Sequence, residues 1–417
     1  MNKRRHRTNP VTIVLFFLAV GALIYVNQVI VPSTTPLFIP TATPTRAPET
    51  YIADAESLVS EGKISQAITA YKDAVQADPR NAGVKVSLAE LEAMNGSYAD
   101  AILHTEDALL LDTNNAMAHA VRGWALGLSG DYLASQTALK QAIEIDPNNP
   151  IPYAYLAEVL ARMQQDGKGS MGTLDEAIEY SRKARDLGPD LLETHRARGI
   201  ILELTGENAD AIQEFEAAIA INPNIAELHI MLGRNYVAIG NDPAAEEQYY
   251  KANSLNPSDP WPDVYMSRLY LRTGDYVKAI QFAEQAVEND PSNSYFYINL
   301  GTMYYKNLMY PDSIKAFRLG LRGGTTEDGV ELPGAALSGD NVDAYYFYGL
   351  ALARNGECNE AVEISQMLQQ TVPNDDIAMY NAQEMINICT GQSATETVAT
   401  ETITPEENSG VTDTPQP

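Results

Sequence analysis

Beyond His6 the chain has four histidines, His104, His119, His195 and His229. Imidazole is the side chain best suited to proton transfer near neutral pH and a common metal ligand, so their spacing is the first test for a catalytic or metal site. No two lie three or four residues apart, as two imidazoles on one helical face would require. Instead His195 and His229 are 34 residues apart, and His119 shares their register with Tyr51, Tyr153 and Tyr297. A bulky residue that recurs at one interval and exchanges with tyrosine reads as packing repeated with the fold. The GKGS run at 167–170 has phosphate-loop residues but not the G-x-x-x-x-G-K-[ST] spacing, and it falls between two helices rather than after a strand. There is no G-x-S-x-G elbow and no cysteine with a matched histidine, and the carboxylates are spread as on solvated helical faces. No catalytic site, metal or cofactor is expected, and an enzyme with an unrecognised site is the remote alternative.

The elements that carry these residues divide along the chain. The formal charge is -27 over 417 residues, yet Lys3, Arg4, Arg5 and Arg7 crowd the first ten positions without an acid. So acidic a chain is repelled by phosphate, which argues against nucleic acid as a partner. Residues 11–31 carry no charge and reach about 31 Å as a helix, enough to span a bilayer. Basic residues before this segment predict that residues 1–10 stay in the cytoplasm and that everything beyond 31 lies outside. A cleaved signal peptide is the competing reading, disfavoured by the length of the apolar run and the lack of an A-x-A-like site. Residues 32–49 hold Pro32, Pro36, Pro40, Pro44 and Pro48, a spacing that predicts an extended spacer. Residues 391–417, rich in Thr, Glu and Pro, read as a disordered tail.

Between these ends the sequence repeats. Pro189, Pro223, Pro257 and Pro291 follow one another at intervals of 34, and Pro79 and Pro147 are 68 apart with Thr113 midway. These D-P and N-P junctions end one helix and start another, while Gly62, Gly96, Gly130, Gly206, Gly240, Gly274 and Gly356 mark a turn within each unit. One column of small residues (Ala55, Ala89, Gly123, Ala157, Gly199, Gly233, Ser267, Gly301, Gly349) runs through the first helices. A second (Ala67, Ala101, Ser135, Ala177, Ala211, Ala245, Ala279, Ser313, Ala361) runs through the second helices. Tyr71, Leu139, Phe215, Tyr249 and Phe317 supply bulk beside them. The register slips twice, which predicts surface loops at 162–173 and 323–341.

Period, small residues, aromatics and prolines in a single register resemble the tetratricopeptide repeat family, across residues 50–390. The resemblance implies an all-α, right-handed superhelical solenoid of about nine helix-turn-helix repeats closed by a capping helix with a polar outer face, and no enzyme. It further implies a concave groove lined by the first helices that takes a segment of a partner protein. In the family's groove-facing register the sixth to ninth repeats present Arg234, Arg268, Arg272, Lys306 and Arg354 against Glu227 and Asp343, with Trp261, Tyr295, Tyr305 and Tyr346 beside them. That lining favours an acidic or carboxylate-bearing peptide, unless the arginines bridge to carboxylates on neighbouring helices. Glu56, Glu90 and Glu158 make the N-terminal half of the groove comparatively acidic. In the stacked arrangement the only two cysteines, Cys358 and Cys389, fall at the same end of adjacent helices, and a disulfide is expected. The expected role is an extracytoplasmic scaffold or assembly factor tethered to the cytoplasmic membrane, with a cell-surface spacer lacking a specific ligand as the alternative.

Overall fold

A computed structural model describes residues 10–26, 28 and 46–391. The chain divides into two units, Met1–Ala47 and Pro48–Pro417. In the first, a helix covers Pro10–Tyr25, 16 residues without a charged side chain. No helix among the described residues is long and apolar enough to cross a membrane. The expected span at 11–31 lies partly outside the described residues, as do the basic N-terminus, most of the proline-rich spacer and nearly all of the C-terminal tail.

The second unit is an all-α repeat solenoid. Its helices come in pairs: Pro48–Ser60 with Ile64–Ala77, Ala82–Met94 with Tyr98–Leu111, Ala116–Leu128 with Tyr132–Ile145, and Pro150–Gln165 with Thr173–Leu187. These continue as Leu192–Leu204 with Asn208–Ile221, Ala226–Ala238 with Asp242–Leu255, and Trp261–Thr273 with Tyr276–Asn289. The last are Ser294–Lys306 with Tyr310–Phe317 and Val342–Arg354 with Cys358–Thr371, followed by a single helix, Asp376–Thr390. We number these pairs as repeats one to nine. Helix starts are set by short polar side chains: Asn81, Asn115, Asn149, Asn293 and Asp375 each accept a hydrogen bond from a backbone N–H in the first turn that follows.

The small-residue columns mark where the two helices of a repeat cross. A Cβ at Gly199 would stand 2.6 Å from the Phe215 ring, and one at Gly233 would stand 2.4 Å from the Tyr249 ring. Each crossing therefore admits no side chain opposite its aromatic partner. Where serine replaces alanine in the second helix, its hydroxyl donates to the facing carbonyl, Ser135 to Gly123 O at 2.6 Å and Ser313 to Gly301 O at 2.8 Å. From the second repeat onward, first helices also pack on the first helices of their neighbours, forming an inner row, while second helices form the outer face. The histidine and tyrosine register has a definite task in this packing. His119, Tyr153, His229 and Tyr297 each hydrogen-bond the carbonyl six residues earlier, that of Thr113, Pro147, Pro223 and Pro291, at 3.0–3.2 Å. They tie the inter-repeat turn to the helix that follows it.

Three features depart from the periodic reading. The insertion near 323–341 is anchored: it forms a small hairpin, β1 (Gly324–Thr325) and β2 (Glu331–Leu332), with Leu332 buried. The Tyr345 hydroxyl donates to Ala335 O at 2.8 Å, holding its far end. The capping helix is not uniformly polar outside, since Ile377 and Tyr380 are exposed. Finally, the eighth repeat has Leu308 at the mid-repeat turn with φ +61°, where seven other repeats place glycine at +76° to +88°.

Two stability predictions follow from these features. A left-handed backbone costs a β-carbon residue about 1–2 kcal/mol, and Leu308 is exposed, so Leu308→Gly should stabilise the solenoid by about 1 kcal/mol in chemical denaturation. Cys358 and Cys389 form the expected disulfide, with Cα atoms 5.5 Å apart and a sequence separation of 31. Alkylation of the non-reduced protein should label neither cysteine in mass spectrometry, and replacing both with serine should loosen the C-terminal cap by about 3–4 kcal/mol.

Candidate functional site

The predicted groove cations reach different environments. Arg234 is spent on an ion pair with Glu203 at 2.8 Å and lies by Tyr265, and Arg272 pairs with Asp242. These two therefore do not add free positive charge, which reduces the electropositive character expected for the C-terminal half. Carboxylates on the preceding repeat satisfy them, Glu203 from the first helix of repeat five and Asp242 from the start of the second helix of repeat six. Arg268 contacts Tyr295 through both its hydroxyl and its ring. Lys306 is exposed with its ammonium 4.5 Å from the Phe347 ring centre. Arg354 is exposed too, donating to the Tyr305 hydroxyl at 2.9 Å and to Tyr310 at 3.4 Å. Tyr346 packs edge-on against Phe347, so repeats eight and nine present cations seated on aromatic rings. Trp261 belongs elsewhere, in a cluster with Tyr265, Tyr295 and Phe296.

Curvature of the inner row brings distant repeats together. The Asn224 amide donates to Ser60 O at 2.8 Å across 164 residues of sequence, joining the turn of the first repeat to the one between repeats five and six. A Cβ on Gly62 would come within 2.8 Å of the Asn224 side chain, so the contact needs glycine there. The curl forms a partly open cavity of about 500 Å³ lined by each of the first seven repeats. Such a volume is within the usual range of ligand sites.

The walls of this chamber are aromatic and acidic. Tyr98, Trp261 and Tyr265 line it, with Glu158, Glu227 and Asp259 against Arg162 and Arg234. Behind them Arg196, 1% exposed, lies 4.5 Å from the Trp124 ring centre and is paired with Glu158 at 3.1 Å. Trp124 stacks on Tyr155 at 4.6 Å, and the Tyr155 hydroxyl donates to Glu90 at 2.7 Å. Burial raises the Glu227 carboxyl above its ordinary range, and the Glu158 charge raises it further. Burial likewise raises Asp259, with Glu227 adding to the effect, and Glu90, with Glu193 adding to it. The Tyr98 hydroxyl is pushed up by burial and then by Glu227, Glu158 and Asp259, which places all three carboxylates about one space.

Of the chamber residues, the repeat register identifies Glu158, Glu227, Arg234 and Trp261, whereas Tyr98, Arg162 and Asp259 fall outside it. Asp259 sits in a turn, and its neighbours come from repeats far away in sequence. No periodic signal carries that juxtaposition.

Asp263 occupies the register of His119 and His229 and is fully buried. It receives hydrogen bonds from Asn253 at 2.8 Å and Asn289 at 2.9 Å, yet burial outweighs both and lifts its carboxyl to about 6. An acid whose folded value exceeds its unfolded 3.8 stabilises the fold when protonated, and that contribution is lost as pH rises from 3.8 through about 6. Relative to Asp263→Asn, the wild-type chain should lose on the order of 2 kcal/mol over that interval. Denaturation of the two proteins in parallel across the interval measures the difference.

Paired helices stacked into a curved inner row define a helical-repeat interaction solenoid. Tetratricopeptide repeat models match residues 58–125, 118–149, 196–260 and 266–328, together more than half of the chain, which belongs to the tetratricopeptide repeat family. No curated protein sequence matches it. Among solved structures it resembles a chain in the crystal structure of the APC/C hetero-tetramer Cut9-Hcn1, with 15% identity, a TM-score of 0.56 and coverage of 89% of this chain and 81% of that one. A tetratricopeptide repeat protein from Parabacteroides merdae aligns at 16% identity and a TM-score of 0.44, over 65% of this chain and 99% of that one. Pseudomonas aeruginosa pilF aligns at 20% identity and a TM-score of 0.41, over 50% and 91% respectively. Likeness at these identities concerns the fold alone. Proteins built from this repeat generally mediate protein–protein interaction and assembly.

Proposed function

We propose that this protein is a membrane-tethered, extracytoplasmic scaffold or assembly factor that captures extended segments of partner proteins along its inner face. The observation that carries this reading is the inner row itself, which curls until the first repeat touches the turn between repeats five and six and so borders a space shaped to hold a chain. An extended segment fits such a lumen because its side chains can meet walls on several sides at once. At the C-terminal end, Lys306 and Arg354 on their aromatic supports form a ledge for an acidic or carboxylate-bearing stretch. Support for tethering comes from the sequence, from Lys3, Arg4, Arg5 and Arg7 followed by the uncharged residues 11–31.

Two experiments test the two halves of this reading. Protease added to intact cells, or to spheroplasts where an outer membrane is present, should remove the repeats and leave a membrane stub. Complete protection would reject the extracytoplasmic placement. Lys306→Glu combined with Arg354→Glu should weaken saturable partner capture in pull-downs from solubilised membranes by about tenfold or more, with little change in thermal stability. Absence of any saturable partner would instead favour a spacer.

A further inference from the structure

The ledge accounts for the positive end of the inner face, but the chamber within the first seven repeats has the opposite character. Arg162 and Arg234 line it against Glu158, Glu227 and Asp259, while Arg196, Glu90, Glu193 and Glu203 lie outside that lining but within electrostatic reach of it. Two of those arginines are committed, Arg196 to Glu158 and Arg234 to Glu203. The excess is therefore negative, and it is held inside a lined cavity rather than on an open face.

A second observation points to an occupant. Glu158 is 3% exposed and lines the chamber, and while its Oε2 meets Arg196, its Oε1 has no hydrogen-bond partner. A buried carboxylate oxygen left unsatisfied is costly, on the order of 1–3 kcal/mol or more, and here it adds to the negative character of the chamber wall. Tyr98, Trp261 and Tyr265 complete the setting, since aromatic rings attract a cation and cover the aliphatic stem that carries it.

We propose that the chamber receives a lysine or arginine side chain of the captured partner segment, its cationic head taken by Glu227 and Asp259 beside the buried charge of Glu158, its stem among Tyr98, Trp261 and Tyr265. This rests on the scaffold reading and adds a polarity to it: a basic residue binds in the first turn of the solenoid, and an acidic stretch lies on the ledge of repeats eight and nine. A partner aligned the other way would place like charges together at both ends, so the direction of the bound chain is selected as well as its composition.

The test is fluorescence anisotropy at physiological salt with the full chain in detergent micelles and a labelled peptide alternating lysine and alanine. Glu227→Gln combined with Asp259→Asn keeps side-chain shape and the acceptor that Asp259 offers to the Trp261 N–H, so the solenoid should remain folded, as thermal melting checks. The expected result is a loss of affinity of at least about tenfold in this variant. Glu144→Gln with Glu288→Gln, carboxylates exposed on second helices, should leave binding unchanged. Equal loss in the Glu144 and Glu288 variant would mean non-specific attraction to an acidic protein and would overturn the proposal. Unchanged binding in the Glu227 and Asp259 variant would overturn it too, as would spermidine occupying the chamber while the peptide does not bind. If only a glutamate counterpart of the peptide binds, and Lys306→Glu with Arg354→Glu abolishes that binding, the scaffold reading stands and the chamber inference falls.

Discussion

At each repeat two helices cross closely, with only alanine or serine admitted on the first helix in four repeats and no side chain in the five that carry glycine. Gly199 against Phe215 and Gly233 against Tyr249 show the constraint most plainly, with a β-carbon excluded by an aromatic ring. The crossing sets the angle between the helices of a pair, and nine such pairs in succession place the first helices in one continuous row. The bend of that row brings Asn224 to Ser60. From close crossing to curl to lined chamber, each level is a geometric consequence of the one below it. A side chain added at one crossing would disturb contacts many residues away.

Charge is organised along the same path. The chain is strongly acidic, yet its inner face is neither uniformly acidic nor uniformly basic. Arginines that neighbouring helices can reach are neutralised there, as Arg234 by Glu203 and Arg272 by Asp242. Cations in repeats eight and nine rest on aromatic rings and keep their charge available, as Lys306 does on Phe347. Carboxylates in the chamber crowd together, and burial with mutual repulsion raises Glu227 and Asp259. Two opposed electrostatic environments at a distance from each other suit recognition of a patterned chain better than of a compact ligand.

Much of the fold was legible in the sequence because repeats write tertiary contacts as local periodicity. Ala67 and Gly199 announce a crossing by their spacing alone, and Cys358 and Cys389 could be paired once the stack was assumed. The site was legible only in part. Register identified Trp261, Glu90 and Glu158 as inner-face residues, but it could not show that Arg234 would find Glu203 or that Asp259 would close a cavity begun by Gly62. Those relations depend on the curvature summed over many repeats, to which each repeat contributes a small rotation absent from any single motif. Leu308 is a local exception of another kind: a non-glycine residue holding a left-handed turn breaks the sequence signal while the backbone keeps the geometry.

Partner capture on the inner face is what the proposed scaffold role requires. Site-specific photocrosslinking in living cells tests it most directly, with a photoreactive side chain placed singly at Met231 in the chamber, at Tyr346 in repeat nine, or at the exposed Leu110 on the outer face. Discrete adducts from Met231 and Tyr346 that map to one extended segment of a common partner, with none from Leu110, are the predicted result. Adducts confined to Leu110, or inner positions that label nothing, would contradict it.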